Sequence, residues 1–135
     1  MPIEPGLVFE LTRVVTESET AAAVAGGKLP HVLSTPHLVG WIETTCHKAI
    51  EEWLGPDQTS VGTSINLKHM AATPVGMDVR VRVEVLEVSG RKLRYRVEAW
   101  DPVEKAAEGE HERFIIDCQR FTQNLEKKVQ KAALK

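Results

Sequence analysis

Residues 34–56 constrain the fold more than any other stretch, because they carry the pattern of one long, largely buried helix. Apolar and small side chains recur there at the i, i+3 and i+4 spacing of a helix with a wide buried face. These side chains are Leu38, Trp41, Ile42, Thr45, Cys46, Ala49, Ile50 and Trp53. Ser34 or Thr35 is the predicted N-cap, with Pro36 at the first helical position. Gly55 is the predicted left-handed cap, and the proline after it prevents continuation.

The rest of the chain alternates apolar and polar residues at the period of two that is typical of strands. In the clearest case, four valines between residues 79 and 85 face one side and charged residues face the other. The predicted strands are residues 7–15, 60–69, 77–88, 93–99 and 106–121, with a tight turn at Ser89-Gly90. We therefore predict an α+β fold, with an antiparallel sheet wrapped around one long central helix. Residues 16–27 are left unassigned, and the lysine-rich residues from about 122 predict a peripheral helix or tail.

Length and charge narrow the class of protein. The chain has 135 residues, enough for a single domain with one core. A net charge of -2 provides no general attraction to nucleic acid or to an anionic membrane. The N-terminus lacks the pattern of a signal peptide, and no stretch reaches the ~20 apolar residues of a membrane span. The expectation is a soluble, cytoplasmic protein with no nucleic-acid or membrane partner.

A second copy of the chain is the expected partner. One helix covers one face of the predicted sheet incompletely, and the strand at residues 60–69 is apolar enough to pair with another sheet edge. We therefore predict at least a homodimer, with further assembly left open. The two cysteines, Cys46 and Cys118, lie on a predicted helix and a predicted strand and lack paired spacing, so neither a disulfide framework nor a zinc ribbon is expected.

Three polar residues stand where apolar ones are expected: Thr35 at the helix entrance, Glu43 within the helix and His69 at the end of a strand. A carboxylate beside an imidazole can act as a base toward water or as a nucleophile toward an activated carbonyl. Structural roles are the alternatives. Thr35 could simply cap the helix, Glu43 could pair with His47 one turn later, and His69 could be a satisfied structural residue.

Other chemistry is less well supported by the spacing. The chain has no HExxH motif and no paired cysteines, so we predict no metal and no cofactor. His111 is compatible with either a surface or a site position. Arginines and lysines along the predicted hairpin alternate with glutamates, which is typical of a solvated sheet face, although they could also bind phosphates.

Several segments in register resemble the fluoroacetyl-CoA thioesterase-like family of hot-dog fold proteins, over about residues 32–121. The matching motifs are Thr35 with Glu43 eight residues later, VGT at residues 61–63, His69 followed by AATP, and HER at residues 111–113. The resemblance implies a homodimeric hot-dog domain that hydrolyses a small acyl-CoA thioester without metal or cofactor.

The resemblance also implies residue roles. Glu43 would be the nucleophile or general base, His69 the proton shuttle, and Thr35 the hydroxyl that positions the thioester or water. Gly62 and Arg113 match residues at the acyl pocket. If Thr35 caps a straight helix, Glu43 lies about 12 Å further along it. The family pattern favours contact between the two, and therefore predicts a helix that begins near residues 39–40.

The sequence departs from the family pattern at the lid of the acyl pocket, where Gly26 and Leu29 align with phenylalanines. This departure weakens the expectation of fluoroacetyl-CoA selectivity and leaves the prediction of thioester hydrolysis in place. Two hypotheses remain open at this point: a short-chain acyl-CoA thioesterase, and a non-catalytic dimer that binds acyl-CoA or another small ligand.

Overall fold

Five antiparallel strands form one sheet that packs against a long helix in the computed structural model, which describes residues 3–134. The strands are β1 (Val8–Val14), β2 (Gln58–His69), β3 (Asp78–Ser89), β4 (Lys92–Trp100) and β5 (Lys105–Asp117). The helices are α1 (Ala21–Ala25), α2 (Thr35–Ile50) and α3 (Cys118–Ala133), with short 3-10 turns at Glu17–Glu19 and Glu51–Trp53. The predicted α+β architecture is confirmed.

The strand order is β1-β3-β4-β5-β2, so β2 forms one edge of the sheet. Hairpins join β3 to β4 and β4 to β5, whereas β2 reaches its place beside β5 by a crossover. Residues 62–66 of β2 are exposed. The strand that carries His69 therefore leaves one edge uncovered by the described residues, and such an edge can pair with another chain.

The core lies between α2 and the inner face of the sheet. Seven α2 residues are buried: Leu38, Trp41, Ile42, Thr45, Cys46, Ala49 and Ile50. The predicted inward side chains of the hairpin are also buried, from Val79 to Val85 on β3 and from Leu93 to Ala99 on β4. Tyr95 donates its hydroxyl proton to the carbonyl of Cys46 at 3.0 Å, which ties the sheet to the helix. The periodicity predicted this core correctly.

Both ends of α2 differ in detail from the prediction. Ser34 is the N-cap, and its hydroxyl accepts from the backbone N–H of His37, so Thr35 occupies the first helical position. The helix therefore does not begin near residues 39–40, and that prediction is wrong. At the other end the helix tightens into the 3-10 turn. Gly55 has no positive φ, and its N–H donates to the Gln58 side chain, so it is not a left-handed cap.

The last strand is shorter than predicted. β5 ends at Asp117, and Cys118 begins α3 instead of continuing the strand. The N–H of Cys118 bonds the carbonyl of Asp57, which turns the chain away from the sheet. The 16 residues of α3 include none that are buried, so the predicted peripheral segment is an exposed helix.

A β-bulge in β2 determines which side chains face α2. Paired strand neighbours share a face, and β2 changes register against β5 between Gly62 and Ser64. Gly62 pairs with Arg113, and His69 pairs with Ala107, both buried positions of β5. His69 lies seven positions after Gly62, and this odd spacing would place the two residues on opposite faces of a regular strand. Because of the bulge, both lie on the inner face.

Candidate active site

Thr35 and His69 form the first half of the site. Since Ser34 supplies the cap, the hydroxyl of Thr35 is available for other contacts, and its Oγ1 lies 2.8 Å from Nδ1 of His69. The first residue of α2 thus meets the last residue of β2. The predicted alternative, in which Thr35 is only a cap, does not hold.

The environment of His69 favours the neutral imidazole. Burial lowers the pKa of His69 below its usual 6.5, and a backbone contact at Ala71 opposes the shift. Its Nε2 is buried and has no hydrogen-bond partner among residues 3–134. Buried polar atoms are rarely left unpaired in folded proteins. His69 is thus held by Thr35 at Nδ1, and Nε2 is the ring nitrogen that has no partner in this part of the chain.

Glu43 belongs to a second cluster, two turns further along α2. Its Oε2 lies 3.7 Å from an Nη of Arg113, and its side chain is 43% exposed. Because α2 begins at Thr35, Thr35 and Glu43 are separated by about 12 Å along the helix axis. The structure shows no contact between Glu43 and either Thr35 or His69 within the described chain. Nor does it show the alternative pairing of Glu43 with His47, which instead contacts Glu51 and Ser60.

Gly62 makes room for the Glu43 carboxylate. A Cβ at this position would lie 2.6 Å from Oε2 of Glu43, well inside normal contact. The resemblance to the family motif pointed to this residue, and the structure gives it a steric reason. Any larger residue would displace the carboxylate, because it approaches the β2 backbone closely.

Arg113 is a buried cation held on several sides. Its side chain is 8% exposed. Nε donates to the hydroxyl of Ser60 at 2.8 Å, and a terminal nitrogen donates to the Ser60 carbonyl at 2.9 Å. The other terminal nitrogen donates to Nε2 of His111 at 3.2 Å. Such a fixed guanidinium supplies a positive charge of defined direction beside Glu43.

His111 is part of this cluster and is 2% exposed. Its Nδ1 lies 2.8 Å from the carbonyl of Ser64, which can only accept, so Nδ1 carries the proton and Nε2 accepts from Arg113. Burial is the main cause that lowers the pKa of His111, and the charge of Arg113 adds to the shift. The HER motif already indicated that His111 lies beside Arg113, because residues at i and i+2 share one strand face.

Sequence reasoning missed Ser60 and gave His47 only a pairing with Glu43. Nδ1 of His47 lies 2.7 Å from the hydroxyl of Ser60, and Nε2 lies 3.4 Å from Oε2 of Glu51. Regular alternation through residues 60–69 would put Ser60 on the side opposite His69, and the bulge places it on the inner face. A groove of about 460 Å³ runs beside this cluster between α2 and the start of β2.

The outer face of the sheet carries the hairpin arginines and lysines, which pair with carboxylates on neighbouring strands. Arg80 bonds Glu10 at 2.8 Å, and Arg94 bonds Glu110 at 3.2 Å. This pattern fits the solvated-face interpretation better than phosphate binding. Among residues 3–134, no group of three or more potential ligands is placed to hold a metal ion. No helix in the same part of the chain is both long and apolar enough to cross a bilayer.

Comparisons with known proteins identify relatives of this chain. The family model described as fluoroacetyl-CoA-specific thioesterase matches residues 15–119. A fluoroacetyl-CoA thioesterase of Streptantibioticus cattleyicolor is 39% identical over 102 residues, which are 76% of this chain and 73% of that protein. A solved structure of a fluoroacetyl-CoA thioesterase superposes with a TM-score of 0.90 at 33% identity, over 95% of this chain and 98% of the other.

A more distant structure extends the likeness of fold. A hypothetical protein of Thermus thermophilus, described as a thioesterase superfamily member, has a TM-score of 0.91 at 23% identity, over 99% of this chain and 98% of the other. The class of protein is therefore a hot-dog fold of the thioesterase type. Within that class, the chain belongs to the fluoroacetyl-CoA-specific thioesterase family. The resemblance and the fold predicted from the sequence are both confirmed.

Proposed function

We propose that this protein hydrolyses a small acyl-CoA thioester at a site built from Thr35, Glu43 and His69. The carrying observation is that the Thr35 hydroxyl lies 2.8 Å from the His69 ring, and that the Glu43 carboxylate lies 3.7 Å from the buried guanidinium of Arg113. The relatives are named thioesterases, which supports hydrolysis and disfavours the alternative of binding without turnover.

The chemistry follows from these groups. Glu43 either attacks the thioester carbonyl or removes a proton from the attacking water. His69 is neutral because of burial, so it can carry a proton between the attacking group and the thiolate that leaves. The Thr35 hydroxyl orients the imidazole and the substrate. Gly62 and Arg113 flank the carboxylate, where the acyl group lies. The products are a carboxylic acid and free CoA thiol.

We further propose that the site is completed between the two subunits of a homodimer. In one chain the two halves are about 12 Å apart along α2, too far for both to reach one carbonyl. If β2 pairs antiparallel with the same strand of a second copy, the His69 end of one strand lies near the Gly62 end of the other. Glu43 would then face Thr35 and His69 of the partner subunit. The exposed edge of β2 supports this arrangement.

Selectivity and location are part of the same proposal. The segment before α2 carries Gly26 and Leu29, without an aromatic side chain between residues 20 and 30. We expect acyl groups other than fluoroacetyl to be accepted. A cytoplasmic location accords with the substrate, because acyl-CoA thioesters are intracellular metabolites.

Thiol release from a panel of acyl-CoAs tests the proposal, with fluoroacetyl-, acetyl-, propionyl- and benzoyl-CoA as the first members. We expect Glu43→Gln and His69→Asn to lose about 10²-fold or more in kcat, the loss typical of a general acid or base. Glu126→Gln, which removes an exposed carboxylate on α3, is the matched control and should retain full activity. Turnover by Glu43→Gln and His69→Asn at the wild-type rate would contradict the proposed site.

A further inference from the structure

Ser60 occupies the centre of a hydrogen-bonded chain that the proposed reaction does not itself require. The residue is buried, at 6% exposure, at the start of β2. Its hydroxyl lies 2.8 Å from Nε of Arg113 and 2.7 Å from Nδ1 of His47. An arginine Nε–H can only donate, so the hydroxyl accepts from Arg113. The single proton of the hydroxyl is therefore free to be donated to His47.

One tautomer of His47 fits both of its partners. When Nδ1 accepts from Ser60, the ring proton lies on Nε2, which faces Oε2 of Glu51 at 3.4 Å. His47 is half-buried, with a side chain 24% exposed, and lies one turn after Glu43 on α2. In that tautomer Arg113 donates to Ser60, Ser60 donates to His47, and the remaining ring N–H faces Glu51.

The chain ends at the Glu43 carboxylate. Two nitrogens of Arg113 bond the hydroxyl and the carbonyl of Ser60, and these bonds orient the planar guanidinium. The remaining Nη lies between His111 at 3.2 Å and Glu43 at 3.7 Å. Ser60, and His47 which contacts it, therefore determine how the Arg113 guanidinium is oriented toward Glu43.

We propose that Ser60 and His47 are positioning residues for catalysis: they hold Arg113 so that its guanidinium fixes the Glu43 carboxylate in its reactive position. The inference rests on the proposed function of Glu43. Displacement of a reacting group by about 1 Å can cost ~10²-fold in rate. A side chain that never touches the substrate can therefore control kcat.

Paired substitutions at His47 separate positioning from packing. His47→Asn can place its amide oxygen near the position of Nδ1 and accept from Ser60, whereas His47→Leu has similar bulk and cannot accept. We expect His47→Leu to lower kcat about 10-fold with KM changed less than about twofold, and His47→Asn to restore most of the lost rate. Ser60→Ala should lower kcat similarly. Adding His47→Leu to Ser60→Ala should cost little more, because both act through one chain.

A second measurement does not depend on turnover. The Nε–H proton of Arg113 is buried and bonded, so it should exchange slowly with water in an NMR experiment on the substrate-free protein. Exchange should become at least about 10-fold faster in Ser60→Ala and His47→Leu, and stay slow in His47→Asn.

The two readouts distinguish this inference from the proposed function. If the wild type releases no thiol, the proposed function fails, and the exchange rates alone decide whether His47 and Ser60 hold Arg113. If the wild type is active and His47→Leu keeps kcat within twofold, positioning by His47 is overturned. Unchanged Arg113 exchange in both Ser60→Ala and His47→Leu would overturn it as well.

Discussion

Replacing Gly62 with alanine should impair catalysis while leaving the fold nearly intact. The added Cβ would lie 2.6 Å from Oε2 of Glu43, whereas ordinary contact begins at 3.4 Å. The carboxylate must therefore retreat by about 0.8 Å, unless β2 moves instead. A misplacement of about 1 Å can cost ~10²-fold, so we expect kcat/KM to fall by about 30- to 100-fold. His111 and Arg113, at 3.2 and 3.4 Å from the same Cβ, have less need to move.

The effect on stability should be small, because the displaced atom is the far end of a flexible and partly exposed side chain. We expect the free energy of unfolding in urea to change by less than about 1 kcal/mol. Gly109→Ala provides the contrast, since its Cβ would lie 2.0 Å from the backbone oxygen of Asn66 and the strands must separate. That variant should lose several kcal/mol, about 3 or more. A Gly62→Ala enzyme with activity within threefold of wild type, or one as unstable as Gly109→Ala, would refute the reasoning.

Three further predictions concern the same face of the sheet. Thr35→Val removes the hydroxyl at similar volume and should lower kcat about 10-fold, whereas Thr35→Ser should retain most of the wild-type kcat. Equal rates for the two variants would show that the contact with His69 is dispensable. Because burial lowers the pKa of His69 below 6.5, the acid limb of kcat/KM should lie below pH 6.5, and a limb above that value would contradict a neutral buried base. The folded-state pKa of His111 is also lowered from 6.5, so the unfolded chain takes up a proton more readily. The free energy of unfolding should therefore fall as the pH drops below 6.5, and fall less in His111→Gln; an identical pH dependence in that variant would argue against this role.

Much of the fold could be predicted because local patterns and tertiary structure agree. The i, i+3, i+4 spacing of α2 and the alternating valines of β3 correspond to the faces that are buried. The turn at Ser89-Gly90 was predictable for the same reason, since Gly90 adopts the positive φ that the hairpin requires.

The register of β2 could not be predicted, because a bulge depends on the pairing partner as well as on the strand. Alternation read straight through residues 60–69 puts Ser60 and Gly62 on the face opposite His69. The register shift against β5 moves all of them to the inner face. For that reason Ser60 was missed, while Gly62 was identified only through the family motif.

The arrangement of the candidate site could be predicted only in part. Spacing pointed to Thr35, Glu43 and His69, and the structure joins two of them directly. The sequence already placed Thr35 and Glu43 about 12 Å apart on a straight helix. The prediction that the helix begins later, which would let the two residues meet, is wrong. The helix begins at Thr35 because Ser34, one residue earlier, already satisfies the cap. The proposed second subunit would bring Glu43 to His69.

Mixing two inactive variants tests this account most directly. Glu43→Ala and His69→Ala proteins would be purified separately, shown to release no thiol, denatured together and refolded as a mixture. If each site combines Glu43 of one subunit with Thr35 and His69 of the other, mixed dimers contain one intact site. Random pairing then restores about a quarter of wild-type activity. A mixture that stays inactive, although mass spectrometry shows that mixed dimers have formed, would contradict a site shared between subunits.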